Sequence, residues 1–422
     1  MKRYNAYKDS GVKWIGEIPS HWDTKQFRRF FFIKKDVANC LGYDVLSVTQ
    51  KGLKVKDIES NEGQMANDYS KYQIVEVGDF VMNSMDLLTG YIDCAKQKGV
   101  TSPDYKSFRV RQAINLNKQY YLYIFQFCYK GRIFYNLGRG VSNKGRWRLP
   151  SENLNRFMLP VPPLHEQQAI VDYLKDKTFK IEQYVSARER ERELLDSLKQ
   201  SEIANVVTRG LNPNVKMKDS GIPWIGEIPE HWEPCRNKDI FEESKKIVGE
   251  NSSDYVLLSL TKQGVIVRDL SENKGKFPKE FNTYKVVEPG DMIFCMFDVD
   301  ETPRTVGLSQ NHGMITGAYD VFKIKRVLPK FALYYYLSID DRKALRPLYK
   351  GLRKVVPLPT FMSSKIFLPP LSEQQAIVTY IDEKLQKIDQ YMCDLQREID
   401  YLKEFKQRLI SDAVTGQLCV TK

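Results

Sequence analysis

The sequence Pro-Pro-Leu-His-Glu-Gln-Gln-Ala-Ile-Val at 162–171 returns almost unchanged as Pro-Pro-Leu-Ser-Glu-Gln-Gln-Ala-Ile-Val at 369–378. After each Pro-Pro-Leu, no glycine or proline follows until Gly210 in the first copy and Gly416 in the second. Glycine is the residue expected just past the end of a helix, because it adopts the left-handed conformation without strain. The sequence therefore predicts two long helices, each of roughly 60 Å at 1.5 Å per residue.

The second helix has apolar residues at steps of three and four, which is typical of a coiled-coil seam. These residues are Leu385, Ile388, Met392, Leu395, Ile399, Leu402 and Leu409. The first helix keeps Ile181, Val185, Leu195 and Leu198 on the matching seam, but it carries Arg188 and Arg192 where the second helix has Leu395 and Ile399. We expect the two helices to pack against each other, with the arginine stems on the partner helix and the guanidinium groups near Asp394 or Glu398.

The start of the second helix also has capping signals. Ser372 and Gln375 fit a capping box, and Glu373 places a carboxylate at the positive end of the helix dipole. In the first copy His165 replaces the serine, so a weaker cap is expected there.

The direction of the helices follows from the length of chain between them. Parallel helices would require the second module to span some 60 Å from Gly210 to Ser372, whereas a compact domain of that size is about 40 Å across. Antiparallel packing removes this difficulty. It predicts modules at opposite ends of the helices, the start of the chain near the end of the second helix, and a pseudo-twofold arrangement.

Composition excludes several classes of protein. The chain of 422 residues is 42% hydrophobic, which is enough for two or three domains with cores of their own. No apolar run approaches a membrane span, and no apolar signal core follows Met1, so a cytoplasmic protein is expected. The seven cysteines show no Cys-x-x-Cys spacing, which argues against a disulfide framework or a zinc site. The net charge of +12 favours a polyanionic partner.

A second repeat covers the rest of the chain. The string Lys-Asp-Ser-Gly, Trp-Ile-Gly-Glu-Ile-Pro and His-Trp occurs within 8–22 and again within 218–232. The whole chain is therefore one unit written twice. Short β-rich runs lie on either side of the Gly-Asp turns at 78–79 and 290–291, and a helical patch follows each at 120–129 and 331–338. This pattern predicts an α+β domain of about 150 residues in each copy.

Basic residues are concentrated in one stretch of each copy. No acidic residue occurs from Tyr105 to Ser151, or between Asp341 and Glu373, and aromatic side chains are interleaved with the lysines and arginines. Such stretches favour nucleic acid, because lysine and arginine neutralise phosphates and arginine and asparagine can read base edges. The candidate DNA-binding residues are Lys106, Arg109, Arg111, Arg132, Arg139, Asn143, Lys144, Arg146, Arg148, Arg342, Lys343, Arg346, Lys350, Arg353 and Lys354.

No catalytic motif was identified in the sequence. It has no phosphate-binding loop, no nucleophile elbow and no Asn-Pro-Pro-aromatic motif. His21 and His231 occupy one repeated structural position, His165 is at a helix start and His312 stands alone, so no metal site is predicted. A binding protein without catalytic residues of its own is the favoured interpretation.

The two variable modules, the repeated Trp-Ile-Gly-Glu-Ile-Pro string and the Pro-Pro-Leu-x-Glu-Gln-Gln helix starts together resemble the specificity subunit of a type I restriction-modification enzyme. The resemblance covers nearly the whole chain. It implies target-recognition domains at 1–163 and 212–370, each reading one half of a split double-stranded DNA site, with a central helical spacer at 164–211 and a C-terminal one at 371–422.

The resemblance also implies partner subunits. Two methyltransferase subunits would dock on the helices, and motor-nuclease subunits would cut unmodified DNA. The candidate docking residues are Glu166, Gln167, Gln168, Glu373, Gln374 and Gln375. No cofactor is expected on this chain itself, whereas S-adenosylmethionine, ATP and Mg²⁺ are implied for the partner subunits. Arg188 and Arg192 depart from a uniformly apolar seam.

Two alternatives stay open from the sequence. One is a coiled-coil scaffold whose basic modules bind RNA or bind DNA without sequence preference. The other is a self-sufficient DNA-modifying enzyme with unrecognised catalytic residues. Neither accounts for the duplicated modules as well as a two-part DNA reader does.

Overall fold

The computed structural model describes residues 2–58, 66, 68–140, 147–223, 225–268, 281–351 and 354–421. The chain forms two compact units. Unit 1 consists of Met1–Arg188 together with Arg397–Lys422, and unit 2 consists of Glu189–Gln396. Unit 1 is therefore built from both ends of the sequence, whereas unit 2 is one continuous segment.

The strands of unit 1 are β1 (Tyr7–Asp9), β2 (Glu17–Pro19), β3 (Asp23–Gln26), β4 (Phe31–Lys34), β5 (Leu46–Thr49), β6 (Gly52–Val55), β7 (Gln73–Val75), β8 (Phe80–Met82), β9 (Ile92–Cys94), β10 (Gly99–Thr101), β11 (Lys106–Val110) and β12 (Met158–Val161). Its helices are α1 (Phe27–Phe30), α2 (Lys118–Lys130), α3 (Ser151–Arg156) and the first part of α4 (Leu164–Arg209), and a 3-10 turn spans Tyr135–Leu137.

The central sheet of unit 1 has the strand order β4-β11-β8-β9, and all its pairs are antiparallel. Phe31, Phe80 and Phe108 from this sheet are fully buried against Tyr121 and Phe125 of α2. The same core contains residues from the far end of the sequence. They are Leu409, Ile410, Ala413, Val414 and Leu418.

The strands of unit 2 are β13 (Met217–Asp219), β14 (Glu227–Pro229), β15 (Glu233–Arg236), β16 (Phe241–Glu243), β17 (Leu258–Thr261), β18 (Gly264–Val267), β19 (Lys285–Val287), β20 (Met292–Phe294), β21 (Val306–Leu308), β22 (Gly313–Ile315), β23 (Asp320–Ile324) and β24 (Lys365–Leu368). Its helices are α5 (Asn237–Ile240), α6 (Pro329–Asp341), α7 (Leu358–Ser363) and most of α8 (Leu371–Val414), with 3-10 turns at Gly249–Asp254 and Arg346–Leu348.

Unit 2 repeats the fold of unit 1. Its central sheet has the order β16-β23-β20-β21, which matches β4-β11-β8-β9 strand for strand. Ile203, Val206 and Val207 at the end of α4 enter this core, as Ile410, Ala413 and Val414 at the end of α8 enter the core of unit 1. The predicted α+β repeat is thus confirmed. Each core also takes in the end of a long helix, and the predicted domain boundaries stay a prediction.

The two long helices end where the sequence predicts. Gly210 and Gly416 follow them with φ values of +73° and +78°. With 46 and 44 residues, the helices are roughly 69 and 66 Å long. The predicted capping box is wrong, because α8 already begins at Leu371 and Ser372 therefore lies inside the first turn. The Gln375 amide donates to Thr379 Oγ1 instead of reaching back to the helix start.

Within each unit, the two long helices run antiparallel. In unit 1, Lys406 bonds to Glu182 and Arg188 Nε lies 3.1 Å from Glu398 Oε2, so the prediction for Arg188 is confirmed. In unit 2, Lys199 Nζ donates to Asp389 Oδ1 at 2.6 Å, and Tyr380 donates to Glu202 Oε1 at 2.8 Å.

The predicted seam is continuous on one helix and broken on the other. On α8, Ile388, Leu395, Ile399 and Leu409 are buried. On α4, Leu198 is 46% exposed and Arg192 is an exposed side chain that bonds to Gln396.

The Gly-Asp turns connect strands of different sheets. Gly78 and Gly290 have φ values of +86° and +94°, as a turn at these positions requires. However, β7 pairs with β10 whereas β8 pairs with β9 and β11, so the strands beside the turn do not form a hairpin. Across the described ranges, none of the helices has an apolar stretch long enough to cross a bilayer.

Candidate nucleic-acid interface

Each unit carries a loop at the same place in its fold, and we call these the basic loops, residues 139–148 and 350–355. Each follows a 3-10 turn and is closed by an isolated antiparallel bridge. The bridge in unit 1 joins Arg139 and Arg148 through backbone hydrogen bonds of 2.8 and 3.1 Å, and the bridge in unit 2 joins Lys350 and Val355 through bonds of 2.8 and 3.0 Å. Equivalent places in the two folds therefore present the basic residues that the sequence singles out.

Both loops are fixed to the central sheet by their C-terminal ends. Leu149 N donates to Ser84 O just beyond β8, and Val356 N donates to Met296 O just beyond β20, at 2.9 and 2.8 Å. The candidates Asn143, Lys144, Arg146 and Arg353 lie outside the described residues. Their contact with DNA stays a prediction.

An aromatic contact supports the loop of unit 1. The Trp147 indole stacks on the Tyr135 ring with centroids 5.1 Å apart, and its Nε1 donates to Tyr135 O at 2.6 Å. Gly138 and Gly140 leave room for the indole, because a Cβ on either would lie within 2.4 Å of a Trp147 carbon.

Three candidate cations of unit 1 are exposed at the loop or at the turn before it. Arg132 and Arg139 are both exposed, and Arg132 has the unusual φ of +56°. Arg148 Nη2 donates to Asp104 Oδ1 at 3.3 Å, and its Nε contacts Met85 Sδ. An exposed guanidinium on a fixed backbone is well suited to contact a phosphate or a base edge.

Three further candidates of unit 1 already have partners inside the unit. Arg109 donates from Nε and Nη2 to the buried carboxylate of Asp79, at 2.5 and 3.1 Å. Arg111 Nε donates to Arg28 O at 2.9 Å, and Lys106 Nζ donates to Ser151 Oγ at 2.9 Å. These contacts hold the side chains in place, and a role in DNA contact stays a prediction for all three.

A basic cleft of about 330 Å³ in unit 1 includes residues that the sequence reasoning passed over. Lys35 lies there beside Lys106 and Arg148. Burial lowers the pKa of Lys106, and the positive charges of Arg148 and Lys35 lower it further. The lysine pair at the end of the phenylalanine-rich strand β4, Lys34 and Lys35, was the available signal, but it lies about seventy positions away from the basic stretch in the sequence.

In unit 2, four of the candidate cations are paired with nearby acceptors. Arg346 Nε donates to Asp300 Oδ1 at 3.0 Å, and Lys354 Nζ lies 3.1 Å from Asp300 Oδ2. Lys343 Nζ donates to Asp340 Oδ1 at 2.7 Å, and Arg342 Nε donates to Ser338 O at 2.9 Å. Lys350 is exposed at the closing bridge of the loop.

The repeated glutamates at the helix starts bind the His-Trp pairs at 21–22 and 231–232 of their own units. Glu166 accepts from Trp22 Nε1 at 3.0 Å and Tyr4 OH at 2.8 Å, and it pairs with His21 Nε2 at 2.5 Å. Burial opposes its ionisation, but the hydrogen bonds from these partners outweigh burial and hold the pKa of Glu166 below its ordinary value. In unit 2, Glu373 accepts from Trp232 Nε1 at 3.2 Å and pairs with His231.

The first glutamine of each Gln-Gln pair is also used within its unit. Gln167 is buried, accepts from Asn117 N and donates to Pro162 O, both at 2.9 Å. Gln374 makes the equivalent bonds with Leu328 N and Pro369 O. Among the candidate docking residues, Gln168 and Gln375 are exposed. A docking role for this set stays a prediction.

Comparisons with known proteins agree with this arrangement. The family model described as type I restriction modification DNA specificity domain matches residues 26–186. The putative type I restriction enzyme MjaX specificity subunit of Methanocaldococcus jannaschii is 23% identical over 98% of both chains. The MjaVIII specificity subunit of the same organism is 25% identical over 62% of both chains.

A solved structure shows the same fold. A chain from work on complex assembly and conformational transition of the type I R-M system superposes with a TM-score of 0.66 and 13% identity, over 95% of this chain and 99% of that one. Residues 26–186 thus match the type I DNA specificity domain, and nearly the whole chain is similar to a type I restriction enzyme specificity subunit.

Proposed function

We propose that this chain is a specificity subunit in which each unit reads one half of a split double-stranded DNA site through its basic loop. The observation that carries the proposal is the pair of closing bridges, Arg139 with Arg148 and Lys350 with Val355, at equivalent places in two copies of one fold. The copies share their cores but differ in the residues of their loops. Two similar scaffolds with unlike reading surfaces suit a target with two unlike halves.

The proposal extends to the partner subunits. Modification subunits would dock on the exposed sides of the long helices, with Gln168 and Gln375 as candidate contacts, and restriction subunits would complete the complex. S-adenosylmethionine, ATP and Mg²⁺ would act in those subunits, and this chain would hold no cofactor. The names of the relatives support a place in a type I system.

The test is methylation mapping of DNA from cells that carry the complete system, with variants of each loop. Arg139→Ala should weaken recognition of one half-site and Lys350→Ala recognition of the other. If these cations contact phosphate, each variant should also reduce the slope of log affinity against log salt by roughly one. Glu152→Gln, on an exposed helix of unit 1 next to the loop, is the matched control and should change neither half-site.

Two results would count against the proposal. Loss of both half-sites together in each single variant would show that the units are not separate readers. Unchanged affinity and an unchanged salt slope in both variants would remove the basic loops from the DNA interface.

A further inference from the structure

Asp300 lies between two cations of the candidate interface in unit 2. It belongs to the connection between β20 and β21, and its side chain is 19% exposed. Its two carboxylate oxygens contact different partners, Arg346 Nε at 3.0 Å and Lys354 Nζ at 3.1 Å. Both cations remain open to solvent, with side chains 65% and 44% exposed.

One partner precedes the basic loop, and the other lies near the end of the loop. Arg346 begins the 3-10 turn that leads into the loop, and Lys354 precedes Val355, which closes it. One carboxylate therefore links the beginning and the end of residues 346–355. The hydrogen bond from Arg346 holds the pKa of Asp300 below its ordinary value, so the carboxylate is charged at neutral pH.

Unit 1 fixes the same place by a different interaction. Its 3-10 turn begins at Tyr135, which corresponds to Arg346, and the Tyr135 ring stacks on Trp147 near the end of the loop. Both units therefore join the turn before the basic loop to the residues that close it. Unit 1 does so with aromatic packing, and unit 2 does so with charge.

A carboxylate at this place is costly for binding DNA. It repels phosphate and cancels part of the positive charge that attracts DNA. Exposed ion pairs also contribute little to stability, so a gain in stability alone does not account for the Asp300 carboxylate at this place. The two ion pairs instead fix the orientation of the Arg346 and Lys354 side chains before DNA binds.

We propose that Asp300 is a positioning residue that orients Arg346 and Lys354 for the half-site read by unit 2, and that it raises the preference for cognate over non-cognate DNA. The inference rests on the proposed function of unit 2. Asp300 acts through the two cations and does not itself contact DNA.

The experiment uses the complete complex of this chain with its modification subunits. The affinities are measured for DNA with the mapped site and for DNA in which only the unit 2 half-site is scrambled. Asp300→Asn should bind scrambled DNA several-fold more tightly, because a negative charge is lost, and the cognate-to-scrambled ratio should fall by roughly tenfold. Asp300→Glu, which keeps the charge, should restore most of the ratio.

Glu301→Gln is the matched control, because it removes the same charge from the neighbouring residue. Within the described part of the chain, Glu301 has no ion pair with Arg346 or Lys354. It should raise both affinities equally and leave their ratio unchanged. Asp300→Ser provides a second neutral variant of smaller size, so the ratio can be measured even if asparagine disturbs the loop.

The outcomes separate the two proposals. A wild-type complex that prefers its site, with an unchanged ratio in both neutral Asp300 variants, would overturn the positioning role alone. An equal fall in the ratio for Glu301→Gln would also overturn it, since charge alone would then explain the effect. A wild-type complex that is indifferent to scrambling of the half-site would overturn the proposed function of unit 2.

Discussion

The Trp147 indole and the Tyr135 ring stack at 5.1 Å with an interplanar angle of 22°, and this contact joins the two ends of the turn-and-loop segment in unit 1. A methyl group at Gly140 would lie 2.0 Å from Trp147 Cε3, so Gly140→Ala should displace the indole. The chain has five tryptophans, and one indole N–H resonance in an NMR spectrum should shift strongly. Arg139→Ala, one residue earlier, should leave the five resonances in place. An unshifted spectrum for Gly140→Ala would contradict the close packing.

Asp79 and Asp291 occupy the same turn in the two units but should respond oppositely to neutralisation. Asp79 is fully buried, with Lys34 Nζ at 2.8 Å and Arg109 Nε at 2.5 Å, so Asp79→Asn should destabilise the protein by about 3 kcal/mol. Asp291 is buried and accepts from Glu288 N at 2.9 Å, and burial raises its pKa. Asp291→Asn keeps an acceptor oxygen, and should stabilise the protein by about 1 kcal/mol.

The pH dependence of these two variants follows from the direction of each shift. The Asp79 contribution is fully present above the ordinary value of 3.8, and it is lost as the pH falls through the lowered folded pKa. For Asp291, with a raised folded pKa, wild-type stability falls as the pH rises through that pKa, so the gain of Asp291→Asn should be largest at neutral pH. Thermal unfolding of both variants from acidic to neutral pH gives the measurement. Shifts of the same sign at pH 7 would refute this assignment.

Glu166 and Glu373 should differ in their importance for stability. Glu166 is 6% exposed and has three hydrogen-bond partners, whereas Glu373 is 26% exposed and has two. Glu166→Gln should therefore cost about 2 kcal/mol, and Glu373→Gln clearly less. Because the folded pKa of Glu166 is lowered, its contribution is complete above 4.5 and disappears as the pH falls through the folded value. Equal melting temperatures for the two variants at pH 7 would argue against this ranking.

Arg188 is one of two arginines that interrupt the apolar seam of the first helix, and its replacement by leucine should be neutral or stabilising. Glu398 is 44% exposed, so it stays hydrated when its partner is removed. A leucine would extend the apolar contact that Val185 and Leu402 make with the core of unit 1. We expect a gain of no more than about 1 kcal/mol. Chemical denaturation of Arg188→Leu tests this, with Arg192→Leu on an exposed position as the control, and a clear loss specific to Arg188→Leu would contradict it.

Local sequence signals predicted the parts of the fold that depend on neighbouring residues. The glycines at 210 and 416 predicted where the two long helices end. The repeated Trp-Ile-Gly-Glu-Ile-Pro string predicted that the fold occurs twice. The predicted capping box at Ser372 is wrong because the helix already begins at Leu371. No local rule distinguishes a helix that begins at Leu371 from one that begins after Ser372. The partners of Arg109 and Arg346 lie 30 and 46 positions away, at Asp79 and Asp300. Such pairings depend on how the strands are arranged, which composition and spacing do not reveal.

Unit 1 combines two segments that are far apart in the sequence, and this affects how it folds during synthesis on the ribosome. Residues 1–188 are synthesised before unit 2, whereas Leu409, Val414 and Leu418, which complete their core, are synthesised after it. At roughly 5–20 residues per second, the first segment waits on the order of ten seconds to a minute for them. During that interval α8 does not yet shield Tyr120 from solvent. The Tyr120 hydroxyl later donates to Val414 O. Unit 1 therefore cannot complete its core until the whole of unit 2 has been synthesised, and its first segment is open to aggregation during that interval.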